Sequence, residues 1–349
     1  MKKIISIVGA RPQFIKHAPI ELALKSHPIH LVAVHTGQHY DQNMSKVFFD
    51  QLGMRTPDYM LQAGSAGHGV QTGKMMMDLE PIFLQERPDA VLVYGDTNST
   101  LAGALVAAKL NIPIIHLEAG LRSYNREMPE EVNRVLTDHL SALLLAPTQQ
   151  AIDNLAKEGI QKNVSLTGDV MCDMLRLAQK TLAAPAPHQA AYAYASIHRP
   201  YNTDNPEQLG KILTAFQNLS IRVKFAIHPR TRHKMELLGW NVENYPNIEF
   251  LPPLSYFDNI HTQAHAQAVI TDSGGIQKEA YLLGRKCLTV RTETEWVETL
   301  AGGWNTLVFD RLDVLETLLQ APTTDYNPDL YGDGRAAEHI AQLIADFLG

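Results

Sequence analysis

The stretch Ala90-Val91-Leu92-Val93-Tyr94-Gly95-Asp96, followed by residues 100–110 and then Ile112-Pro113-Ile114-Ile115-His116-Leu117-Glu118, decides the fold. Two short, almost uncharged Val/Ile/Leu runs flank a segment with helical patterning, which reads as strand, helix, strand in a parallel sheet covered on both faces. Each run closes on a carboxylate, Asp96 and Glu118, and Pro129-Glu130-Glu131 opens a further segment that continues to Arg134. Ligands of open α/β sheets bind outside the carboxyl ends of the strands. These acids therefore mark a candidate site.

The same alternation extends outward through apolar runs at 4–8, 31–35, 143–146 and 164–166, with helical stretches at 19–25 and 149–158. It implies a doubly wound parallel sheet. After a helix-like stretch at 171–182 comes Ala183-Ala184-Pro185-Ala186-Pro187-His188, whose small residues and prolines suit a connection between domains. Strand-like runs resume at 191–197, 224–227, 248–251, 268–270 and 286–290. The expected organisation is an α/β chain of two Rossmann-like domains, at 1–168 and 169–333. An amphipathic helix at 334–349 is available to cap either of them, the N-terminal one included.

Bulk properties narrow the class. The 349 residues are enough for two cores, and 30 basic against 37 acidic side chains, a net charge of −7, give no footprint for nucleic acid. Cys172 and Cys287 are the two cysteines, without Cys-x-x-Cys spacing, so neither a disulfide framework nor a structural zinc site is expected and a reducing cytoplasm is. The N-terminal apolar run at 4–8 is too short for a signal peptide, and Gly9-Ala10-Arg11-Pro12 interrupts it. No apolar run approaches the roughly 20 residues that span a bilayer, so no membrane partner is expected.

Predicted strand ends in both halves carry polar clusters, and if both sheets turn these ends toward one another the clusters line a single cleft. Thr271-Asp272-Ser273-Gly274-Gly275 follows an apolar run and precedes a helical one. That context puts free backbone amides and a hydroxyl at a helix N-terminus, an anion site, unless Asp272 or Ser273 is an ordinary N-cap. Arg11, Lys16, His228 and Arg230 at other strand or loop ends favour a diphosphate guest. There is no Gly-x-Gly-x-x-Gly after the first strand and no Walker-type loop, which disfavours dinucleotide and ATP chemistry. His35 and His39 lack an acid or cysteine to complete a metal set, so no metal is expected. Glu131 reads as a surface acid of a helix first turn, whereas Glu130 and Arg134, one turn apart, would face the site together. Asp96 has the alternative of capping the next helix.

These blocks together resemble the non-hydrolysing UDP-N-acetylglucosamine 2-epimerases. The resemblance runs nearly the full chain, through Gly9-Ala10-Arg11-Pro12-Gln13-Phe14-Ile15-Lys16, His35-Thr36-Gly37-Gln38-His39, Gly95-Asp96-Thr97, His116-Leu117-Glu118-Ala119-Gly120-Leu121-Arg122, Pro129-Glu130-Glu131-Val132-Asn133-Arg134, His228-Pro229-Arg230 and Asp272-Ser273-Gly274-Gly275-Ile276-Gln277-Lys278-Glu279. It implies the glycosyltransferase-B architecture, two Rossmann-like domains facing a cleft, usually as a homodimer, with a UDP-sugar substrate and no cofactor or metal. The implied chemistry is elimination of UDP to a C1=C2 glycal, then readdition with protonation of the other face. By resemblance Asp96, Glu118 and Glu130 are the acid/base candidates and Arg134 and His198 assist. Arg11, Lys16, His228, Arg230, Ser273, Gly274 and Gly275 bind UDP, and Glu279 matches a ribose-binding glutamate.

The chain also departs from the family pattern. Where the family usually reads His-Arg-x-Glu-Asn, this chain has His198-Arg199-Pro200-Tyr201-Asn202, and Gln38-His39-Tyr40-Asp41 replaces Gln-His-Arg-Gln. Both motifs belong to a second, activating UDP-sugar site in many bacterial members, so weak or absent substrate activation is implied. Thr294-Glu295-Trp296-Val297-Glu298 is similar to the branch acting on UDP-2,3-diacetamido-2,3-dideoxyglucuronate, whose carboxylate Arg291 or Arg122 would meet; Trp296 has the commoner alternative of a core aromatic. The competing classes are a hydrolysing epimerase, a glycosyltransferase of the same architecture and a noncatalytic nucleotide-sugar sensor.

Overall fold

The structure, a computed structural model, describes residues 1–38, 54–181 and 190–349. The proline-rich connection at 183–188 and the segment from His39 to Asp41 lie outside the described residues. The chain divides into two compact units, Met1–Arg176 with Asp329–Gly349, and Leu177–Pro328. The spacing put these boundaries at 168 and 333.

The first unit runs β1 (Lys2–Val8), α1 (Arg11–Leu24), β2 (Ile29–His35), β3 (Tyr59–Met60), α2 (His68–Glu86), β4 (Ala90–Tyr94), α3 (Asn98–Lys109), β5 (Ile114–Leu117), α4 (Pro129–Leu140), β6 (Leu143–Ala146), α5 (Gln149–Lys157), β7 (Val164–Leu166) and α6 (Val170–Thr181). Its strands pair in parallel in the order β3-β2-β1-β4-β5-β6-β7. Every residue of β4 and β5 is buried, which is why these runs carry no polar alternation. Helix α1 begins eight residues before the start the pattern predicts: Pro12 occupies its first turn, where no amide is needed, and Pro19 is carried inside it. Strand β3 has two residues, too short to leave a periodic signal.

The second unit runs β8 (Tyr192–Ser196), α7 (Pro200–Thr203), α8 (Pro206–Gln217), β9 (Arg222–Ala226), α9 (Pro229–Leu237), β10 (Ile248–Leu251), α10 (Tyr256–Ala264), β11 (Ala268–Thr271), α11 (Gly274–Leu282), β12 (Lys286–Thr289), β13 (Asn305–Leu307) and α12 (Leu315–Gln320). The strand order is β10-β9-β8-β11-β12-β13, again parallel. Its core gathers Leu209, Ile212, Leu213 and Phe216 of α8 against Val223, Phe225 and Ile270. The last helix, α13 (Ala336–Leu348), packs on α1 of the first unit. Asp173 anchors it by accepting the amides of Ala336 and Ala337 at 3.2 and 3.1 Å, filling the role of an N-cap from a distant element.

In each sheet the order reverses beside the unit's first strand, between β1 and β4 and between β8 and β11. Such switch points open a crevice at the carboxyl ends of the two strands. Gly9 to Arg11 and Gly95-Asp96 leave the first, and His198-Arg199 and Asp272-Ser273 leave the second.

Candidate active site

Register brings the acids of the first unit together. Tyr94 pairs with Leu117, so Gly95 and Glu118 are the next residues off adjacent strands. Both have left-handed backbone, φ +59° at Gly95 and +73° at Glu118. That conformation is uncommon for a residue with a side chain, and it clusters at functional sites. A Cβ on residue 95 would lie 3.0 Å from Glu118 Oε2 and 3.5 Å from Lys16 Nζ, so the glycine makes room for this pair. Lys16 Nζ and Glu118 Oε2 form a buried ion pair.

Asp96 does not cap α3; Thr97 does, accepting the amide of Thr100 at 3.3 Å. The Asp96 carboxylate instead meets the Arg134 guanidinium, with Nε donating to Oδ2 at 3.1 Å and Nη2 to the same oxygen. Asn133 holds the Asp96 carbonyl at 2.9 Å. Withdrawal from water raises the Asp96 carboxyl above its ordinary range; Arg134 pulls it down, and Glu130 and Glu118 push it back up. A carboxyl lifted this way is suited to hold and release a proton.

The reading of Glu131 is corrected by the structure. It is 1% exposed and braces the site rather than decorating a surface. Its carboxylate accepts the amides of Ser123 and Tyr124, both at 2.9 Å, and Arg134 Nη1 at 2.9 Å. The acid is buried because the chain between Leu121 and Met128 folds over the helix start, which helical periodicity alone does not reveal. Arg134 is thereby fixed between Glu131 and Asp96.

Two braces escaped the sequence reading. Gln13 stitches the switch point, its Oε1 accepting the amides of Gly9 and Ala10 at 2.8 and 3.1 Å and its Nε2 donating to the Tyr94 carbonyl at 2.9 Å. His116 Nε2 bonds the Gly95 carbonyl at 2.8 Å and its Nδ1 meets Asp138 at 2.7 Å. Asp138 also takes Arg122 Nη1 at 2.7 Å, and Arg122 reaches Glu158 at 2.7 and 2.8 Å. The Gly95-Asp96 turn thus rests on a buried chain of charge.

The second unit holds the other predicted residues. Ser273 is the N-cap of α11 but makes no side-chain cap bond, and Asp272 turns back toward the His198 turn, so the ordinary-cap alternative fails for both. Gly274 and Gly275 open α11 at its positive dipole end, where the Glu295 carboxylate packs so closely that a Cβ on Gly274 would clash with its Oε1. His228 caps α9, accepting the Arg230 amide on Nδ1 at 3.2 Å. Burial lowers its pKa, with Arg230 and His198 adding to the effect. Arg230 reaches Asp204 at 3.4 Å. Glu279 is buried and accepts Gln263 Nε2 at 2.7 Å. The side chain of Arg11 lies outside the described residues.

The remaining candidates resolve as structural partners. Arg122 is engaged as above, and Arg291 is 1% exposed and paired with Glu295 at 2.9 Å. Trp296 is a core aromatic, with the Lys278 ammonium 4.1 Å from its ring centroid. His35 Nδ1 accepts the Gly37 amide at 2.7 Å. Among the described residues no group of three His, Cys, Asp or Glu is placed to hold a metal, and no helix is long and apolar enough to cross a membrane.

The family model for UDP-N-acetylglucosamine 2-epimerase matches residues 22–345, and the chain belongs to that family. It is 45% identical to the UDP-N-acetylglucosamine 2-epimerase homolog of Methanococcus maripaludis, over 98% of this chain and 99% of the relative. It is 43% identical, over 98% and 99%, to the UDP-2,3-diacetamido-2,3-dideoxy-D-glucuronate 2-epimerase of Pseudomonas aeruginosa. The crystal structure of Methanocaldococcus jannaschii UDP-GlcNAc 2-epimerase in complex with UDP-GlcNAc and UDP matches with a TM-score of 0.90 at 37% identity, over 99% of this chain and 100% of that one. Two Rossmann-like units in one chain give the glycosyltransferase-B class of fold.

Proposed function

We propose that this protein interconverts UDP-N-acetylglucosamine and its C2 epimer, UDP-N-acetylmannosamine, without hydrolysing either. The observation that carries the reading is the pair of carboxylates at the first switch point, each held by its own cation: Asp96 by Arg134 and Glu118 by Lys16. The C2 hydrogen of the sugar is not adjacent to a carbonyl, so simple proton exchange is too slow. A base removes the C2 proton while the C1–O bond breaks with its electron pair leaving on UDP, giving a C1=C2 glycal. UDP then re-forms the C1–O bond as C2 is protonated on its other face. The sequence is redox-neutral and calls on no cofactor.

Two faces of C2 require two acid/base groups, drawn from Asp96, Glu118 and Glu130. Arg134 and His198 manage charge as the proton moves. The departing diphosphate would be stabilised by Arg11, Lys16, His228, Arg230 and the Ser273-Gly274-Gly275 helix start, and the ribose by Glu279. A glucuronate substrate is the second reading, favoured by the Pseudomonas aeruginosa relative. Against it, both arginines that would meet a sugar carboxylate are already committed, Arg122 to Asp138 and Glu158 and Arg291 to Glu295.

A homodimer belongs to this reading. Val70, Met77 and Leu84 recur every seven residues along α2 and are 70, 70 and 57% exposed, an apolar stripe suited to a second copy. A cytoplasmic setting and use of the product in surface polysaccharide assembly complete it, the former in keeping with the two free cysteines.

Incubation with UDP-N-acetylglucosamine in deuterated water, followed by NMR, tests the proposal. Deuterium at C2 and a gluco/manno mixture are expected, with free UDP staying low. Exchange only with the diacetamido glucuronate would transfer the reading to that sugar, and exchange with neither would defeat it. Asp96→Asn and Glu118→Gln should each keep UDP binding while lowering turnover by about 100-fold or more.

A further inference from the structure

We propose that Asp272 is the positioning residue for His198, holding the ring by its Nδ1 so that Nε2 is the nitrogen offered to the substrate. This rests on the epimerase reading and deepens it.

The two residues come from different strands of the second switch point. Thr271 of β11 pairs with Ser196 of β8, so the chains leaving these strands run side by side. Asp272 is 0% exposed. A carboxylate in such a place is costly unless its lone pairs are filled. It accepts the His198 amide at 3.1 Å, the Arg199 amide at 2.9 Å and Asn202 Nδ2 at 2.9 Å, and its Oδ1 lies 3.1 Å from His198 Nδ1. Asn202 is itself pinned to the Val290 carbonyl at 3.0 Å, which ties the turn to the end of β12. A lone aspartate needed only as a helix cap would turn toward α11. This one turns away from it.

An ionised carboxylate only accepts, so Nδ1 of His198 carries a proton. The side chain is 44% exposed while its Nδ1 edge faces a fully buried group, which leaves Nε2 on the open edge. His228 is set the opposite way. Its Nδ1 accepts the Arg230 amide, so in the neutral ring the proton sits on Nε2. The pair thus presents one nitrogen able to accept and one that donates. Beside a leaving diphosphate the two neutral rings offer different chemistry, His228 an N–H on Nε2 and His198 a lone pair on Nε2. Among the described residues Asp272 lies against the His198 ring, Arg199 is its chain neighbour, and His228, itself beside Arg230 in the β9–α9 turn, is near enough to interact with it electrostatically. Asp272 is the only carboxylate that the described contacts place against the ring.

Asparagine at 272 keeps the volume but turns an amide N–H₂ toward backbone donors or toward Nδ1, which disfavours the Nδ1–H tautomer. The test is ¹⁵N NMR of the histidine rings in the full-length protein, with kinetics on UDP-N-acetylglucosamine. In the wild type His198 should show its proton on Nδ1 when neutral and His228 on Nε2, and Asp272→Asn should move His198 toward the other tautomer. The same substitution should lower kcat at least about 10-fold while KM and UDP affinity change less than about 3-fold. In a His198→Ala background, Asp272→Asn should cost less than about 2-fold more, because its effect runs through the ring. A wild-type His198 protonated on Nε2 would overturn the proposal, and that measurement stands even if the variant does not fold. An Asp272→Asn effect that persists in full without His198 would reduce Asp272 to a turn brace and overturn it equally. A wild type with the expected tautomers that epimerises nothing counts instead against the epimerase reading.

Discussion

Replacing Asp138 by asparagine tests whether the buried charge chain behind the site supports the first unit. The Asp138 side chain is 0% exposed and receives His116 Nδ1 and Arg122 Nη1, each at 2.7 Å, and the Gly120 amide at 3.1 Å. Removing one member of a buried pair costs about 3–5 kcal/mol, because the partner charge is stranded away from water. Asparagine retains one acceptor oxygen, and Arg122 keeps Glu158, so the lower end, about 3 kcal/mol, is expected. At roughly 2–4 °C per kcal/mol for a unit of this size, the melting temperature should fall by about 6–12 °C. Differential scanning calorimetry and urea unfolding measure it, with Glu207→Gln of the exposed Lys211 pair as a control that should leave the midpoint unmoved.

The acid dependence provides a second check on the same substitution. Burial by itself would raise the Asp138 carboxyl, but His116 and Arg122 overcome it and hold the group below its ordinary value of 3.8. A carboxyl depressed on folding stabilises the fold fully above the unfolded pKa and loses that contribution as pH falls through the lower folded value. The deficit of the variant should therefore persist from neutral pH down to about 4 and shrink only below it. A midpoint within about 2 °C of wild type at neutral pH would refute the reasoning, since no buried charge would then have been stranded.

Gly95→Ala should destabilise by about 1–2 kcal/mol through its left-handed backbone, and lower turnover further by crowding Glu118; wild-type turnover would contradict the packing at Gly95. Burial lowers His17 to about 3 and His35 to about 4, against 6.5 for an exposed histidine. Between pH 6.5 and 4 the unfolded chain binds protons that the folded one refuses. Stability should fall with acid over that window, at a slope approaching about 1.4 kcal/mol per unit for each histidine, and equal urea midpoints at pH 7.5 and 5 would contradict this. Cys172 and Cys287 are buried, and burial pushes the Cys287 thiol up to about 12. Neither should react with an aromatic disulfide reagent until the protein is denatured, so rapid labelling of the native protein would show these thiols to be accessible.

Local sequence determined the strands, because a parallel strand buried on both faces reads as a near-continuous apolar run, and Ala90 to Tyr94 and Ile114 to Leu117 are buried runs whose one charge-bearing side chain is His116. It also determined that Asp96 and Glu118 follow strand ends and that Ser273 and Gly274 start a helix, since strand ends and helix starts are written in a few consecutive residues, whereas the pairing that sets the two acids side by side is not. The two-residue β3 and three-residue β13 left no such trace. Tertiary structure alone decided what each polar group meets. Glu131 became a buried brace, Arg122 and Arg291 were committed to carboxylates, and Asp272 faced an amide 74 residues earlier rather than its own helix. Partner choice depends on strand register and on which loop folds over which helix. Those follow from packing summed over the whole sheet, and no window of sequence around a single residue contains them.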